Sequence, residues 1–226
     1  MDPEFDNVPE VVDWMSSMVD RGGRRNQESN RLFLARRTAL EMLRDRGYSV
    51  PDSELARTLP EFRAWWEKDP DFERLAFATA RASDHSDKVQ IRFCPQEPVR
   101  IATIQEIYEQ IEGENLSRLI LISKGKIMPR AKESMKEKFT FKVDSFLVRE
   151  LLVNITKHVL KPKHEVLSAE EKANLLKKYK VEDSQLPRMD ATDAVARYYG
   201  LDKGTVLKVT YDGEITGNHV TYRCIF

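Results

Sequence analysis

The sequence lacks any segment that could cross a membrane. None of its apolar runs reaches the about 18 residues that a transmembrane helix needs, and its N-terminus lacks the basic-then-apolar pattern of a secretory signal. It has only two cysteines, Cys94 and Cys224, which lie far apart in apolar, strand-like runs where a thiol behaves as a small hydrophobic group. These absences predict a soluble, reduced, non-secreted chain with no membrane partner.

An excess of charge of one sign is also missing. The 226 residues carry 37 Lys and Arg against 37 Asp and Glu, so the formal net charge is +0. A whole-molecule field that attracts nucleic acid is therefore excluded, and any contact with DNA must come from a local patch. With 41% hydrophobic residues, the chain can still build one large or two modest cores.

The sequence offers no recognisable catalytic or cofactor-binding constellation. His158 and His164 suggest a metal pair, but no Cys, Asp or third His lies at ligand spacing, and the lysines around them repel cations. Structural or interface histidines are the favoured interpretation. The glycine pairs lack the strand–loop–helix setting of a phosphate-binding loop. We therefore expect no metal, no cofactor and no small-molecule substrate.

The clearest local patterns lie near the C-terminus. Ser168 and Glu171 form a capping box before a short amphipathic helix. Asp193 or Thr192 can cap a second short helix, which stops at Gly200. The remaining elements are a strand at Val206–Tyr211 and a turn at Asp212-Gly213. Together these patterns predict a compact α+β module.

A long amphipathic helix is predicted from Ser29 to a C-cap at Gly47. Its apolar stripe consists of Leu32, Ala35, Ala39 and Leu43. The opposite side carries Arg36, Arg37, Arg44 and Arg46. Because Glu41 and Asp45 interleave with these arginines, we interpret them as a solvated helix face rather than as a DNA-binding surface.

The following segment alternates between strand and helix patterns. Capping boxes at Thr58/Glu61 and Thr103/Glu106 predict two helices, and Pro129 begins a third. The predicted strands are Leu75–Thr79, Val89–Phe93, Leu119–Ile122 and Phe139–Val143. The third strand is wholly apolar, which is typical of a central buried strand. This β-α-β-α-β order predicts an α/β domain with a mixed sheet covered by helices.

Several motifs, taken in order, resemble the fifth-largest common subunit of eukaryotic RNA polymerases, a family with a counterpart in the archaeal enzyme. They are Leu151-Leu-Val-Asn-Ile-Thr-Lys-His158, Lys161-Pro-Lys-His164, Gln185-Leu-Pro-Arg188 and Val195-Ala-Arg-Tyr-Tyr-Gly-Leu201, with Arg44-Asp-Arg-Gly-Tyr48 upstream. The resemblance implies a restriction-nuclease-like jaw domain at residues 28–146 and a small α+β assembly domain at 147–226. Residues 1–27 are expected to form a mobile tail.

The same resemblance implies a function. It predicts a noncatalytic subunit of a nuclear DNA-dependent RNA polymerase, which docks on the largest subunit, contacts other subunits and helps the jaw hold downstream duplex DNA. The long tail and Tyr211-Asp-Gly213 resemble plant paralogues of the polymerases of RNA-directed DNA methylation, such as RNA polymerase V, which act in gene silencing. The alternative is a free-standing transcription adaptor that uses the module to bind a regulatory protein.

The similarity of this family's N-terminal fold to restriction-type nucleases makes a nuclease motif worth testing. Pro70-Asp71 and Glu170-Glu-Lys172 contain the residues of such a motif. The second triplet, however, begins a predicted helix in the other domain, where it cannot share a metal with the first. We therefore expect no nuclease activity.

The loop Lys124-Gly-Lys-Ile-Met-Pro-Arg130 has the residues to meet a phosphate backbone. In the resembled family a proline-containing loop at this place lies near downstream DNA. Lys124, Lys126, Pro129 and Arg130 are therefore candidate nucleic-acid contacts. An exposed loop with ordinary solubilising charge is an equally good interpretation.

The C-terminal module carries candidates for a subunit interface. They are Asn154, Ile155, His158, Leu186, Pro187, Arg188, Tyr198 and Tyr199. They supply aliphatic and aromatic anchors and one bidentate donor, Arg188. The alternative is that Ile155, Leu186 and Tyr198 only fill the module's own core.

Overall fold

The computed structural model describes residues 24–66, 71–213 and 217–226. The α-helices in these ranges are α1 Arg24–Asp45, α2 Asp52–Ala56, α3 Leu59–Trp66, α4 Ile101–Ile111, α5 Pro129–Lys138, α6 Ala169–Tyr179 and α7 Ala194–Tyr199. The strands are β1 Phe77–Ala80, β2 Lys88–Cys94, β3 Arg118–Ser123, β4 Lys142–Leu147, β5 Lys163–Val166, β6 Arg188–Met189, β7 Val206–Gly213 and β8 Gly217–Ile225. Short 3-10 helices lie at Phe72–Leu75, Val148–Leu151, Ile155–Lys157 and Asp183–Gln185.

The first sheet has the strand order β1-β2-β3-β4. β1 runs antiparallel to β2, whereas β2, β3 and β4 are mutually parallel, with Ile120 opposite Ile91 on one side and Asp144 on the other. The predicted mixed sheet is confirmed. So is the central position of the wholly apolar strand, because β3 pairs on both edges and buries Leu119–Ile122.

Helices cover both faces of this sheet because successive residues of β3 point to opposite sides. Ile120 and Ile122 pack in one cluster with α1 and α3, while Leu119 and Leu121 pack with α4 and α5 in another. Each such side chain contributes about 1.5–3 kcal/mol when it is fully buried. The predicted stripe on α1 lies at 0–1% exposure and faces the sheet: Leu32, Ala35, Ala39 and Leu43.

The second sheet has the order β5-β7-β8-β6 and is also mixed, because β6 runs parallel to β8 while the other pairs are antiparallel. Adjacent residues of β7 again point to opposite faces. Leu207 packs with the α7 residue Ala196, and Val206 packs with the α6 residue Leu175. This is the small α+β module that the sequence predicts.

Most helix ends follow local sequence rules. Both bonds of the capping box form at Ser168/Glu171 before α6 and at Thr58/Glu61 before α3. The side chain of Asp193, not that of Thr192, caps α7 by accepting a hydrogen bond of 2.8 Å from the Val195 amide. α7 ends at Gly200 with φ 65°, in the left-handed conformation that glycine adopts without strain.

Several predicted boundaries are wrong. α1 begins at Arg24 instead of Ser29, while residues 1–23 of the predicted tail lie outside the described ranges. Thr103 does not cap α4, because that helix already starts at Ile101 and Thr103 is buried within its first turn. Asp212-Gly213 is not a turn, since both residues belong to β7 and pair with β8.

Strand boundaries differ from the prediction in two regions. β4 runs from Lys142 to Leu147 rather than from Phe139 to Val143, since Phe139 caps the end of α5 and packs in the core under α4. Leu75 belongs to a 3-10 helix, and β1 begins only at Phe77. Hydrophobic periodicity alone places strand boundaries poorly when an apolar residue at the end of a helix continues the alternating pattern of the strand.

Candidate functional site

The predicted DNA loop joins β3 to α5 and is held by main-chain bonds. Val99 donates to the Lys126 carbonyl at 3.2 Å and accepts from the Met128 amide at 3.1 Å. Ser123 also donates from its hydroxyl to the Gly125 carbonyl at 2.8 Å. The loop is therefore attached to the segment that follows β2, and its shape is set by backbone contacts.

The four predicted contact residues of this loop differ in their exposure. Lys126, Pro129 and Arg130 are exposed, with Pro129 in the first turn of α5. Lys124 instead folds back: its ammonium group contacts the Glu28 carboxylate and lies 4.7 Å from the centre of the Phe72 ring. Because Glu28 neutralises Lys124, only Lys126 and Arg130 of the loop's cations are presented to solvent without a carboxylate partner in the described residues.

Two predicted interface residues lie inside the chain instead of on its surface. Tyr198 is 3% exposed and belongs to the same apolar cluster as α1, and Asn154 is 9% exposed. Asn154 donates to the Glu41 carboxylate at 2.7 Å and to the Tyr198 hydroxyl at 3.2 Å, and Tyr198 donates to Asp45 at 2.7 Å. Both residues therefore join the C-terminal module to α1.

We call this contact between the C-terminal module and α1 the junction. Burial and nearby charges shift the pKa values of its ionisable groups. Burial raises the pKa of Tyr198, and the neighbouring Asp45 carboxylate raises it further. For Glu41, burial acts to raise the pKa, but hydrogen bonds from Lys157 and Asn154 outweigh it and hold the pKa below its usual value. At neutral pH the junction therefore combines a neutral phenol with an ionised carboxylate.

A second set of contacts at the junction supplies hydrogen-bond donors to the carbonyls at the end of α7. Arg46 donates to the Tyr198 carbonyl at 2.7 Å, to the Arg197 carbonyl at 2.8 Å and to the Asp144 carboxylate at 2.9 Å. Arg118 donates to Asp144 at 3.0 Å and to the Gly200 carbonyl at 3.1 Å. We call Arg46, Arg118 and Asp144 the carbonyl clamp.

The carbonyl clamp has a clear electrostatic logic. The last carbonyls of a helix have no partner within the helix and carry partial negative charge, so cations placed there are stabilising. Burial lowers the pKa of Arg46, and Asp144 opposes that effect. Lys142 adds a third cation at the Gly200 carbonyl, at 3.2 Å. The clamp therefore ties α7 to the first sheet.

Arg197 of α7 makes a further contact across the junction, with residues of the first sheet and the segment that follows it. Its guanidinium group donates to the Ser145 carbonyl at 2.7 Å and to both oxygens of Glu150, at 2.9 and 3.3 Å. It also lies 4.7 Å from the centre of the Phe146 ring. The two parts of the chain thus exchange arginine contacts.

The expectation that the α1 arginines form a solvated face is wrong for two of them. Arg36 is buried and pairs with Glu54 at 2.6 Å, and Arg46 is buried in the carbonyl clamp. Arg37 and Arg44 are exposed as expected. Interleaved acids indicate a solvated helix only when no second element packs on that side, and here α2 and α7 do.

The remaining interface candidates fall in two places. Ile155 and Tyr199 are half-buried against the first core, and His158, three residues after Ile155, is exposed. Leu186 packs with the α6 cluster, while Pro187 and Arg188 are exposed at the edge strand β6. The Arg188 guanidinium group lies 5.0 Å from the centre of the Phe226 ring.

Comparison with known proteins identifies the family. Residues 26–111 match the family described as RNA polymerase Rpb5, N-terminal domain, and residues 153–225 match RNA polymerase Rpb5, C-terminal domain. The chain belongs to the RNA polymerase Rpb5 family. The resemblance seen in the sequence motifs is confirmed, and Arg46 of the carbonyl clamp joins the two parts that these matches cover.

Relatives match the Rpb5-family chain over most of its length. It is 45% identical to DNA-directed RNA polymerase V subunit 5A of Arabidopsis thaliana, over 89% of this chain and 90% of the relative. It is 43% identical to the Arabidopsis subunit 5B of polymerases IV and V, over 88% and 91%. Identity to subunit RPABC1 of polymerases I, II and III of Caenorhabditis elegans is 39%, over 88% and 97%.

In this Rpb5-family chain, the residues that were considered for a nuclease motif make hydrogen bonds or ion pairs within the fold. Asp71 accepts a hydrogen bond from the Glu73 amide at 3.0 Å, whereas Pro70 lies outside the described residues. The Lys172 ammonium group contacts Asp183 and the Gly204 carbonyl. Within residues 24–66, 71–213 and 217–226, no group of His, Cys, Asp or Glu is placed to hold a metal ion, and no helix has the length and apolarity to cross a membrane.

Sequence reasoning missed the carbonyl clamp. Arg46 was assigned to the polar face of the predicted helix, Arg118 precedes the apolar strand, and Asp144 lies beyond the predicted end of its strand. One signal was available: a charged residue at the start of a wholly apolar strand has to find a partner at the sheet's end. That signal does not say which element supplies the partner.

Proposed function

We propose that this chain is a noncatalytic subunit of a nuclear DNA-dependent RNA polymerase. The observation that carries the proposal is the match to both Rpb5 domains together with near full-length similarity to relatives named as polymerase subunits. In this proposal catalysis belongs to the largest subunits. The similarity to plant subunits of polymerases IV and V supports the finer proposal of a role in RNA-directed DNA methylation and gene silencing.

The C-terminal module docks, in this proposal, on the largest subunit. The surface residues that we assign to the interface are Ile155, His158, Leu186, Pro187, Arg188 and Tyr199. Asn154 and Tyr198 support this surface from inside, because their side chains bind α1. A rigid junction favours assembly, since a preorganised subunit loses less conformational entropy when it binds.

The N-terminal domain, in turn, forms part of the jaw that holds downstream duplex DNA. Its mixed sheet with helices on both faces is compatible with the restriction-nuclease-like description. Exposed Lys126 and Arg130, beside Pro129 at the start of α5, support a phosphate contact by this loop. The +0 net charge means that such a contact acts locally.

Purification of a tagged chain from its source cells tests the subunit assignment. We expect stoichiometric recovery of the large polymerase subunits, and mass spectrometry then shows which polymerase holds this copy. Arg188→Ala should leave the chain folded but reduce that recovery, whereas Lys203→Ala, at another exposed cation, should not. Recovery without large subunits would favour the free-standing adaptor.

The salt dependence of downstream-DNA binding by the assembled polymerase tests the loop. Each lost phosphate contact lowers the slope of log affinity against log salt by about 0.9. We expect Lys126→Ala with Arg130→Ala to flatten the slope accordingly. Lys124→Ala is the matched control, because Glu28 already neutralises that lysine. An unchanged slope in the double variant would show that the loop is an ordinary solvated loop that does not contact phosphate.

A further inference from the structure

Residues 1–23 lie outside the described part of the chain, but their sequence contains an amphipathic pattern that the proposed function does not use. From Pro9 onward, apolar residues recur at the spacing that places them on one face of an α-helix, and Asp and Ser occupy the opposite face. Proline is favoured in a first helical turn, and Gly22-Gly23 would end such a helix. The residues of the apolar face are Val11, Val12, Met15, Met18 and Val19.

The same segment is acidic. Residues 6–20 contain Asp6, Glu10, Asp13 and Asp20 but no Lys, Arg or His. An acidic amphipathic segment is stabilised when it covers a surface that exposes apolar side chains among cations. The chain as a whole has a net charge of +0, so such a surface has to be a local patch.

The edge of the first sheet where β2 and β3 end exposes apolar side chains. Among the described residues of the N-terminal domain, Ile101 at 43% and Met128 at 46% are the most exposed large hydrophobic side chains. Ile101 is the first residue of α4, and Met128 directly precedes α5. Main-chain bonds from Val99 to Lys126 and Met128 hold the two segments together. The two exposed side chains therefore belong to one edge of the sheet.

Cations accompany these side chains. Arg100, Lys126 and Arg130 are exposed, and none of the three has a carboxylate partner within the part of the chain that the structure describes. Residues 96–101 and 124–133 together contain five cations, and the carboxylates near them are Glu28, Glu97 and Glu133. Positive charge is thus in excess. We call Arg100, Ile101, Lys126, Met128 and Arg130 the edge patch.

The start of α1 lies beside the edge patch. Glu28 of α1 contacts Lys124, which belongs to the same loop as Lys126 and Met128. α1 begins at Arg24, so about 6 Å of helix separates that contact from the residue at which the acidic segment joins the fold. The segment is therefore tethered within reach of the edge patch, at a local concentration that is roughly millimolar.

We propose that residues 9–20 dock on the edge patch of the same chain, where they compete with downstream DNA for Lys126 and Arg130. The apolar face of the segment covers Ile101 and Met128, and its carboxylates face the cations. A phosphate backbone matches the cations but offers nothing to the two apolar side chains, whereas an acidic amphipathic peptide matches both. The competition with DNA rests on the proposed function of the loop, and the docking does not.

The reactivity of Lys126 towards an amine-acylating reagent measures the docking in the full-length chain. We expect Lys126 to react about 10-fold faster in Val11→Ser with Met15→Ser than in the wild type, because a tethered segment protects it only while the apolar face is intact. Lys203, which is exposed on the C-terminal module, should react equally in both chains. Ser17→Ala, on the opposite face of the segment, is the matched control variant. Equal reactivity of Lys126 in the wild type and the apolar-face variant would overturn the docking.

A photo-crosslinking amino acid in place of Met15 identifies what the segment touches. We expect an intrachain crosslink to residues 96–101 or 124–133. A crosslink to a second copy of the chain, a crosslink to the C-terminal module, or the absence of any crosslink would each contradict the proposal.

The competition is measured by the affinity of the assembled polymerase for downstream DNA. Glu10→Gln with Asp13→Asn should strengthen binding about 3-fold at low salt, because it weakens the internal competitor. The same change should have no effect when Lys126 and Arg130 are both replaced by Ala. Protection of Lys126 without any change in DNA affinity would rule out the competition.

The two proposals about this loop fail in different ways. If Lys126→Ala with Arg130→Ala keeps the wild-type salt slope, the proposed phosphate contact fails. If that slope flattens but Lys126 is equally reactive in the wild type and the apolar-face variant, the phosphate contact stands and the docking alone fails.

Discussion

At the scale of single residues, Arg46 is the most heavily used cation of the junction. It satisfies two carbonyls at the end of α7 and pairs with Asp144, all with little access to solvent. A lysine in its place keeps the charge but loses the planar fork that reaches three acceptors at once. Arg46 therefore acts through geometry as much as through charge.

We predict that Arg46→Lys lowers the free energy of unfolding by about 2–4 kcal/mol, because buried acceptors lose their donors. Arg44→Lys is the matched control two residues away, where the side chain is half exposed and its nearest carboxylate, Asp52, is 3.8 Å distant and almost fully exposed. The Arg44→Lys substitution should change the free energy of unfolding by no more than about 0.5 kcal/mol. Urea denaturation of both variants measures the difference, and equal effects would show that the clamp adds no stability.

Glu41 links stability to acidic pH. Its pKa is lower in the folded chain than in the unfolded chain, despite the opposing effect of burial, because Lys157 and Asn154 hydrogen-bond to the carboxylate. A lowered pKa means that the folded state binds fewer protons. The stabilisation is therefore complete above the unfolded value near 4.5 and is lost as pH falls through the folded pKa.

We predict that Glu41→Gln is less stable than the wild type at pH 7 and that the gap narrows as the pH is lowered to about 3.5. Glu133→Gln, at an exposed position on α5, is the control and should show no such narrowing. Urea denaturation at several pH values measures both. A gap that is constant with pH would mean that Glu41 is not ionised in its hydrogen bonds to Asn154 and Lys157.

At the scale of the element, α7 is short and depends on its two ends. Asp193 satisfies the N-terminus locally, whereas the C-terminus needs Gly200 in a left-handed conformation and cations from the other domain. A Cβ atom at Gly200 would collide with the Arg118 guanidinium group and lie 2.9 Å from Arg46 Cζ. The glycine thus serves both the backbone and the approach of the clamp.

We predict that Gly200→Ala destabilises the chain more than Gly204→Ala does. Both residues have positive φ, so both substitutions cost about 1–2 kcal/mol of backbone strain. Only Gly200 faces the arginines, since a Cβ at Gly204 meets nothing within 4 Å. Displacing Arg118 or Arg46 should add about 1–3 kcal/mol for each buried acceptor left unpaired. Thermal unfolding of both variants tests this prediction. Equal losses of stability would show that the contact between position 200 and the two arginines has no effect.

At the scale of the whole molecule, the two parts of the chain share one core. Tyr198 of α7 and Leu151 belong to the same apolar cluster as α1 and the first sheet. The Glu41–Asn154–Tyr198 bonds, the carbonyl clamp and the Arg197–Glu150 pair surround that contact. A partner that grips the C-terminal module therefore also fixes the direction of the N-terminal domain.

We predict that the chain unfolds in a single cooperative transition, with equal calorimetric and van't Hoff enthalpies. Replacing both clamp arginines, Arg46 and Arg118, by Met should divide this into two transitions, because the junction then loses the hydrogen bonds by which the clamp holds the end of α7. Replacing Arg44 and Arg130, two exposed arginines, gives the control. Two transitions in the wild-type chain would contradict a shared core.

The sequence by itself determined the family, the mixed sheet with its central strand, and the helix ends at Ser168 and Gly200. Each of these depends on neighbours within a few residues or on a period of two or 3.6 residues. Tertiary structure alone decided that Asn154 and Tyr198 lie inside, and that Arg46 binds Asp144 and Tyr198, which are 98 and 152 residues away. Charge and period cannot identify such partners, because a buried cation and a solvated one have the same local pattern until another element packs over it.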